Sequence, residues 1–231
     1  MRASEFKHIV VIDFETTGIR PGALPVEVAW IQVDHRLNEL ARAHSLVNPG
    51  MPIDPEASAV NKITDDMVAT SPTLDEFVRS MQGDPFAAGR TLVVAHNAHF
   101  DYPHFTRFCG SSEYLCTLRL ARHIFGTLEN HRLQTLCDHL GLSGTQEHRA
   151  MADAEMCLAL TKHLASSHAD GIDDLLTLSA SALAEMRMPF GKHKNTPIAD
   201  LPASYVRWMR AEMTNLNGDL EACLDLHHSR G

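Results

Sequence analysis

The sequence predicts an α/β fold. It comprises a mixed five-stranded sheet, three antiparallel strands and then two more, with helices on both faces and a small C-terminal module behind it. Three observations carry this expectation. Five short apolar runs read as strands. Helical periodicity fills the stretches around the last two of them. The composition shifts after Ser166 towards a glycine- and proline-marked segment. A length of 231 residues suits one sizeable domain with an appendage.

Ile9-Val10-Val11-Ile12 is apolar and β-branched, and it reads as a buried strand ended by a turn at Thr16-Thr17-Gly18. Asp13 and Glu15 stand two residues apart, a spacing that points both to one face of a strand. Adjacent carboxylates repel, and burying them calls for a positive charge between them. Hard divalent cations such as Mg²⁺ prefer oxygen ligands. Pro21-Gly22 marks a loop. Val26–Val33 and Leu40–Val47 read as the second and third strands, with a turn over Asp34–Asn38. Asn48-Pro49-Gly50 and Pro52 end the meander. Helical segments follow at Pro55–Lys62, Thr64–Val68 and Leu74–Met81, the last entered through Ser71-Pro72-Thr73.

Thr91–Ala95 is another buried strand, and it runs into His96-Asn97-Ala98-His99-Phe100-Asp101. Asn97 is expected to cap the next helix. Asp101, Phe105 and Phe108 share an i, i+4, i+7 stripe there, so an acid faces inward. Pro103 is expected either to delay the regular helix beyond Ala98 or to bend it. Tyr114–Thr117 reads as a short strand, and Leu118–Phe125 and Leu133–Leu140 as helices, the second stopped by Gly141. In His148–Ser166 the inner stripe is Ala150, Ala154, Cys157, Leu158, Thr161 and Ala165, with Asp153 at its edge. His148 precedes Asp153 by five residues, about 140° round an ideal helix. It therefore belongs on the entering loop, from which it can approach the same site.

Residues 1–168 are expected to form the main domain, 169–183 a linker and helix, and 184–231 the small module. Met188–Ile198 reads as a compact turn. Pro202–Met213 reads as a helix whose stripe of Leu201, Tyr205, Trp208 and Met209 suits a small core. Gly218–His227 closes the chain. Lys192, His193, Lys194, Arg207 and Arg210 could reach phosphates, with a protein partner as the rival reading.

The formal net charge of -9 argues against a wholly basic nucleic-acid coat but leaves room for a local groove. MRASEFKHIV lacks the apolar core of a secretory signal, and no stretch suits a bilayer span. Five cysteines without a C-x-x-C pair suggest reduced thiols and a cytoplasmic setting. The fifteen histidines form no array with zinc-site spacing.

Asp13, Glu15, Asp101 and Asp153, with His148 beside the last, supply what a two-metal phosphodiesterase needs. Neutral histidine suits the base that takes the proton of the attacking water. D13-F-E15-T-T-G, H96-N-A-H-F-D101 and H148-R-A-M-A-D153 resemble, in order, the three motifs of the DEDD exonuclease superfamily. The histidine five before the last aspartate matches its DEDDh branch, and the likeness covers about residues 6–168. V26-E-V-A29, N61-K-I-T-D-D-M67, C116-T-L-R-L-A-R122 and the tail F190-G-K-H-K-N-T-P-I-A-D-L with Y205-V-R-W208 resemble the exodeoxyribonuclease X subfamily.

The resemblance implies a ribonuclease H-like fold and two Mg²⁺ or Mn²⁺ ions per active site. Asp13, Glu15 and Asp153 would hold the water-activating ion. Asp13 would bridge to the second ion, Asp101 would support that second site, and His148 would be the general base. Thr16, Thr17, Gly18, Ile19, Arg20, His96 and Asn97 adjoin these motifs and are expected to meet substrate, with Ile19 against a base and Arg20 near phosphate. The leading expectation is a 3′→5′ exodeoxyribonuclease that releases nucleoside 5′-monophosphates in DNA repair or recombination. It would prefer single strands, with duplex ends as further candidates. The alternatives are an RNA exonuclease of the same branch, which a 2′-OH contact would separate, and a catalytically idle nucleic-acid-binding module.

Overall fold

β1 (His8–Thr16) is the central strand of a five-stranded sheet. In this computed structural model the chain is described except for residues 21, 81–85, 87, 143–147, 214, 215, 217 and 229–231. Pro21 and Met81, expected in a loop and at a helix end, lie outside the described residues. β2 (Pro25–Val33) pairs antiparallel with β1, and β3 (Glu39–Leu46) antiparallel with β2. The helices α1 (Pro55–Asn61), α2 (Asp65–Val68) and α3 (Leu74–Ser80) then intervene. β4 (Arg90–Ala95) lies parallel to β1 on its other side. After α4 (Ala98–Phe105), β5 (Ser111–Cys116) lies parallel to β4. This is the mixed sheet that the sequence predicts.

Alternation along β1 divides the core. Ile9 and Val11 pack on one face with Leu120 of α5 (Thr117–Ile124), Leu136 of α6 (Leu133–Leu140), Leu160 of α7 (Ala150–Ser166) and Leu175 of α8 (Ile172–Ala184). Val10, Ile12 and Phe14 pack on the other with Leu74, Val78, Ala98 and Phe105 from α3 and α4. Ile172 and Leu176 join Leu175 in the first core, so α8 is built into the main body.

Three local expectations change. Asn97 precedes α4 but makes no capping bond with its side chain, because its backbone is left-handed (φ 66°, ψ 47°). A capping residue needs an extended backbone, and asparagine is among the few side chains that tolerate the left-handed region. The regular helix begins at Ala98 and carries Pro103 inside it, so a delayed start is ruled out. Thr117, expected to end a strand, opens α5 instead.

The tail folds around its own apolar cluster. Met188, Ile198 and Leu201 meet Val206 and Met209 of α9 (Ala203–Glu212) and Leu220, Cys223 and Leu224 of α10 (Gly218–His227). The buried line of α9 runs through Val206 and Met209, so the expected stripe is rotated. Trp208 is 50% exposed and does not join the core. Arg210, expected to face phosphate, donates to Asp225 at 2.8 Å and to the His228 carbonyl at 2.9 Å.

Two buried carboxylates tie the elements together. Asp219, at the start of α10, accepts from Arg119 Nε (2.8 Å) and Nη2 (2.5 Å) on α5 and from His99 Nε2 (2.8 Å) on α4. Gly218 lies so close to the His99 ring that a β-carbon there would overlap it. Glu27, fully buried on β2, accepts from Arg149 Nη2 at 2.6 Å, His44 Nε2 at 2.7 Å and the Ala150 N–H at 3.0 Å. Burial alone would raise the Glu27 pKa, but the hydrogen bonds from Arg149, Ala150 and His44 outweigh it and hold the carboxyl below its usual range. This pins the N-terminus of α7 to the sheet. Glu27→Ala should lower unfolding stability by about 2–4 kcal/mol, somewhat under the usual cost of breaking a buried pair because Arg149 is partly solvated. Urea denaturation measures it, and an unchanged midpoint would contradict the role.

Candidate active site

Asp13 and Glu15 emerge at the end of β1 on the face that α7 covers, where β1 register places Glu15 opposite Glu27. Asp101 reaches the same end from α4 and accepts the Phe14 N–H at 3.0 Å on Oδ1. Asp153 comes from the first turn of α7, and its Oδ2 accepts the backbone N–H of His148 at 2.9 Å. That bond is made with His148 in a left-handed conformation (φ 61°) on the loop before α7, the placement its spacing predicts. Glu15, His148 and Asp153 offer ligand atoms within 4.8 Å of one another.

The electrostatics show how close the acids stand. Burial, and then the charges of Asp101, Asp153 and Glu15, push the Asp13 carboxyl well above the carboxylate range. Asp101 is raised as well, by burial first, with Glu15 and Asp153 adding repulsion against the Phe14 N–H bond. Glu15 rises to about 7, through burial and then Asp153 and Glu27, while Asn61 and Arg149 oppose the rise. Asp13, Glu15 and Asp101 are each raised with the Asp153 charge among the causes, so the four acids form an oxygen-rich pocket without enough positive charge of its own. That donor set fits hard divalent cations, and the four carboxylates pass the chemical test for holding them.

The residues expected at the substrate divide into two groups. The Thr16 hydroxyl donates to the Gly18 carbonyl at 2.6 Å, and the Thr17 hydroxyl accepts the Leu24 N–H at 3.1 Å. Both side chains are buried and shape the loop from within. Gly18 passes close to Asp54, where a β-carbon would sit 2.9 Å from a carboxylate oxygen. The turn leaves Ile19 92% exposed, with Arg20 and Asn97 also exposed.

His96 is engaged inside the protein. Its Nε2 donates to the His131 carbonyl (3.0 Å), which leaves Nδ1 to accept from the Thr117 hydroxyl (2.9 Å). Burial lowers its pKa to about 4, so it is neutral, with both ring nitrogens engaged inside the protein.

Two neighbours were missed from sequence. Glu27 was visible as a lone acid inside the apolar run Val26–Val33. Asn61, buried, bonds to Glu15 and braces the Ile63 N–H at 2.9 Å. No local periodicity marks it.

Comparison with known proteins agrees with this geometry. A family model described as exonuclease matches residues 10–161. A second model, described as a proposed quorum-sensing-regulated virulence factor, matches residues 178–228. Exodeoxyribonuclease 10 of Escherichia coli K12 is 26% identical over 221 residues, 93% of this chain and 96% of that protein. A solved structure of exonuclease X in complex with 5′ overhanging duplex DNA superposes with a TM-score of 0.56 at 28% identity, covering 72% of this chain and 98% of that one. The zinc-bound Escherichia coli exonuclease I complex with single-stranded DNA gives a TM-score of 0.63 at 20% identity over 74% of this chain and 43% of that one, a likeness of fold. The chain belongs to the exonuclease family, as a phosphodiester-hydrolysing 3′–5′ exonuclease of the DEDD superfamily close to exonuclease X.

Proposed function

We propose that this protein removes nucleoside 5′-monophosphates from DNA 3′ ends by two-metal hydrolysis, with Mg²⁺ or Mn²⁺, and that it trims such ends in DNA repair or recombination. The observation that carries the chemistry is the convergence of Asp13, Glu15, Asp101 and Asp153 from three separate segments, with His148 beside them. DNA as the substrate is supported by the relative named an exodeoxyribonuclease and by the exonuclease X complex with duplex DNA.

Asp13, Glu15 and Asp153 would hold one cation, with Asp13 shared towards a second near Asp101. When bound, the ions supply neutralisation of phosphate charge and a more acidic water. His148, on its loop, accepts the proton of the water that attacks phosphorus. The bond from phosphorus to the 3′ oxygen then breaks, and the terminal nucleotide leaves with its 5′-phosphate. Ile19 packs on the terminal base and Arg20 lies near phosphate, with Asn97 and the backbone around Gly18 beside the same end. We infer that residues 1–168 act as the exonuclease domain, with 184–231 as a module that does no chemistry. Among the described residues no helix is long and apolar enough to cross a membrane.

Hydrolysis of 3′-labelled DNA and RNA oligonucleotides in Mg²⁺ tests the reading directly, and cleavage of RNA alone would move the substrate to the rival class. Asp13→Ala should abolish hydrolysis while DNA binding stays measurable. His148→Ala should slow turnover by roughly 10²–10⁴-fold with metal affinity kept, the range for a general base. An equal loss of metal affinity would make His148 a ligand.

The raised Glu15 pKa gives a sign to test. In the metal-free fold Glu15 keeps a proton up to about 7, whereas its ordinary value is 4.5. Its contribution to stability is therefore full below about pH 4.5 and is lost as pH climbs through about 7. The melting temperature of the metal-free protein should fall across that window. Saturating Mg²⁺ should raise it more at about pH 8 than at about pH 6, since the ion displaces bound protons. An equal Mg²⁺ effect at both values would contradict the carboxylate assignment.

Ile19→Ala should slow hydrolysis of duplex ends more than of single strands, because an apolar wedge helps only where bases must be unstacked, at a few kcal/mol per step. Equal slowing of both, or of neither, would remove the wedge.

A further inference from the structure

Trp208 and Tyr205 stand one turn apart on α9, and their rings stack with centroids 5.5 Å apart and planes 27° from parallel. His193 continues the row, 4.4 Å from Tyr205 and tilted by 60°. Phe190, 38% exposed, lies in the same turn as His193. The turn is held closed: Met188 donates to the Thr196 carbonyl and Asn195 to the Met188 carbonyl, both at 2.8 Å, and Thr196 donates to His193 at 3.0 Å. Gly191, at φ 71°, brings the turn against the Tyr205 hydroxyl, where a β-carbon would come within 3.2 Å. The row is thus braced before any ligand arrives.

The tail carries both signs of charge at its surface: Glu185, Asp200, Glu212 and Glu221 are exposed, as are Lys192, Lys194 and Arg207. Residues 1–183 carry the whole formal charge of -9, while the tail holds six basic and six acidic residues. Asp219 faces Arg119, and Asp225 faces Arg210, so these acids are already neutralised. Lys192, Lys194 and Arg207 are exposed and form no ion pair among the described residues. Phe190, Trp208 and Leu226 are the exposed large apolar side chains described in the tail, so aromatic faces outnumber aliphatic ones. Flat rings beside cations that form no ion pair match a chain of bases and phosphates.

We propose that the row His193–Tyr205–Trp208, with Lys192, Lys194 and Arg207 at its sides, is a stacking platform for single-stranded DNA outside the catalytic pocket. It rests on the reading of DNA as the substrate. The bases stack on Trp208 and its neighbours while the cations meet the backbone. The module is anchored through Asp219 to His99 on α4, the helix that carries Asp101, so the platform belongs to the same rigid attachment as the pocket. It gives an acidic enzyme a second, cationic hold on an acidic polymer.

The chain has two tryptophans, and Trp30 is 3% exposed, so fluorescence quenching by an added ligand reports on Trp208. The test titrates full-length Asp13→Ala protein with (dT)20, a readout that needs no hydrolysis. Quenching should saturate. With the variants read by fluorescence anisotropy of dye-labelled (dT)20, which needs no tryptophan, Trp208→Ala should weaken (dT)20 binding about 10-fold, as loss of one stacked base does, while Trp208→Phe should retain most of it. Replacing Lys192 and Lys194 together by glutamine should flatten the salt dependence by about 1.4 in slope. Hydrolysis of a four-nucleotide strand by the otherwise unaltered Trp208→Ala enzyme should stay normal. Unchanged (dT)20 affinity in Trp208→Ala overturns the platform and leaves the rings to a protein partner. Hydrolysis of DNA without quenching defeats the platform alone, whereas hydrolysis confined to RNA without quenching defeats the reading it rests on.

Discussion

Four carboxylates crowded at the end of one strand repel one another, and the surrounding architecture exists to hold them there. A central strand suits this, because β1 is paired with β4 from His8 to Val11 and with β2 through Asp13 and Glu15, so the segment bearing the acids is anchored directly before and alongside them. The remaining supports come from the chain's own dipoles and cations. Phe14 donates to Asp101, and the His148 N–H donates to Asp153. Arg149 is held beside the site by Glu27 and opposes the rise in the Glu15 pKa. None of these cancels the repulsion, as the raised values of Asp13 and Asp101 show. The fold supplies rigidity, and the missing charge is left for an ion.

Glu27 shows how a buried acid can serve a site without joining its pocket. It lies opposite Glu15 in the strand register, where a second unpaired carboxylate would add to the crowding. Three donors take up its charge instead, and two of them, Arg149 and Ala150, begin the helix that delivers Asp153. The same interaction sets the loop on which His148 takes its left-handed backbone.

The sheet and the acid set were readable because their signals are local. Spacing of two on a strand puts Asp13 and Glu15 on one face, and five residues before Asp153 is too far round a helix for His148. Whatever depends on distant partners stayed hidden. Asn61 bonds to Glu15, and Glu27 to Arg149, across separations that no period marks. His96 stands among the site motifs in sequence, and no local signal marks that Thr117 and His131 claim both its ring nitrogens. Trp208 looked like core because apolar size suggests burial, whereas the packing line of α9 falls on Val206 and Met209.

The junction at Asp219 bears on how the molecule comes apart. Arg119 is buried on α5 and shares its guanidinium with Asp219, the Tyr114 hydroxyl and Ser179 of α8. If α10 peels away, Arg119 loses its carboxylate inside the body of the protein, and a buried charge left unpaired is costly. Local opening of the tail is therefore penalised within the catalytic body. The two cores, though separate in their apolar contacts, share one cooperative unit, and the last helix of the chain protects α5 and α4 as they protect it.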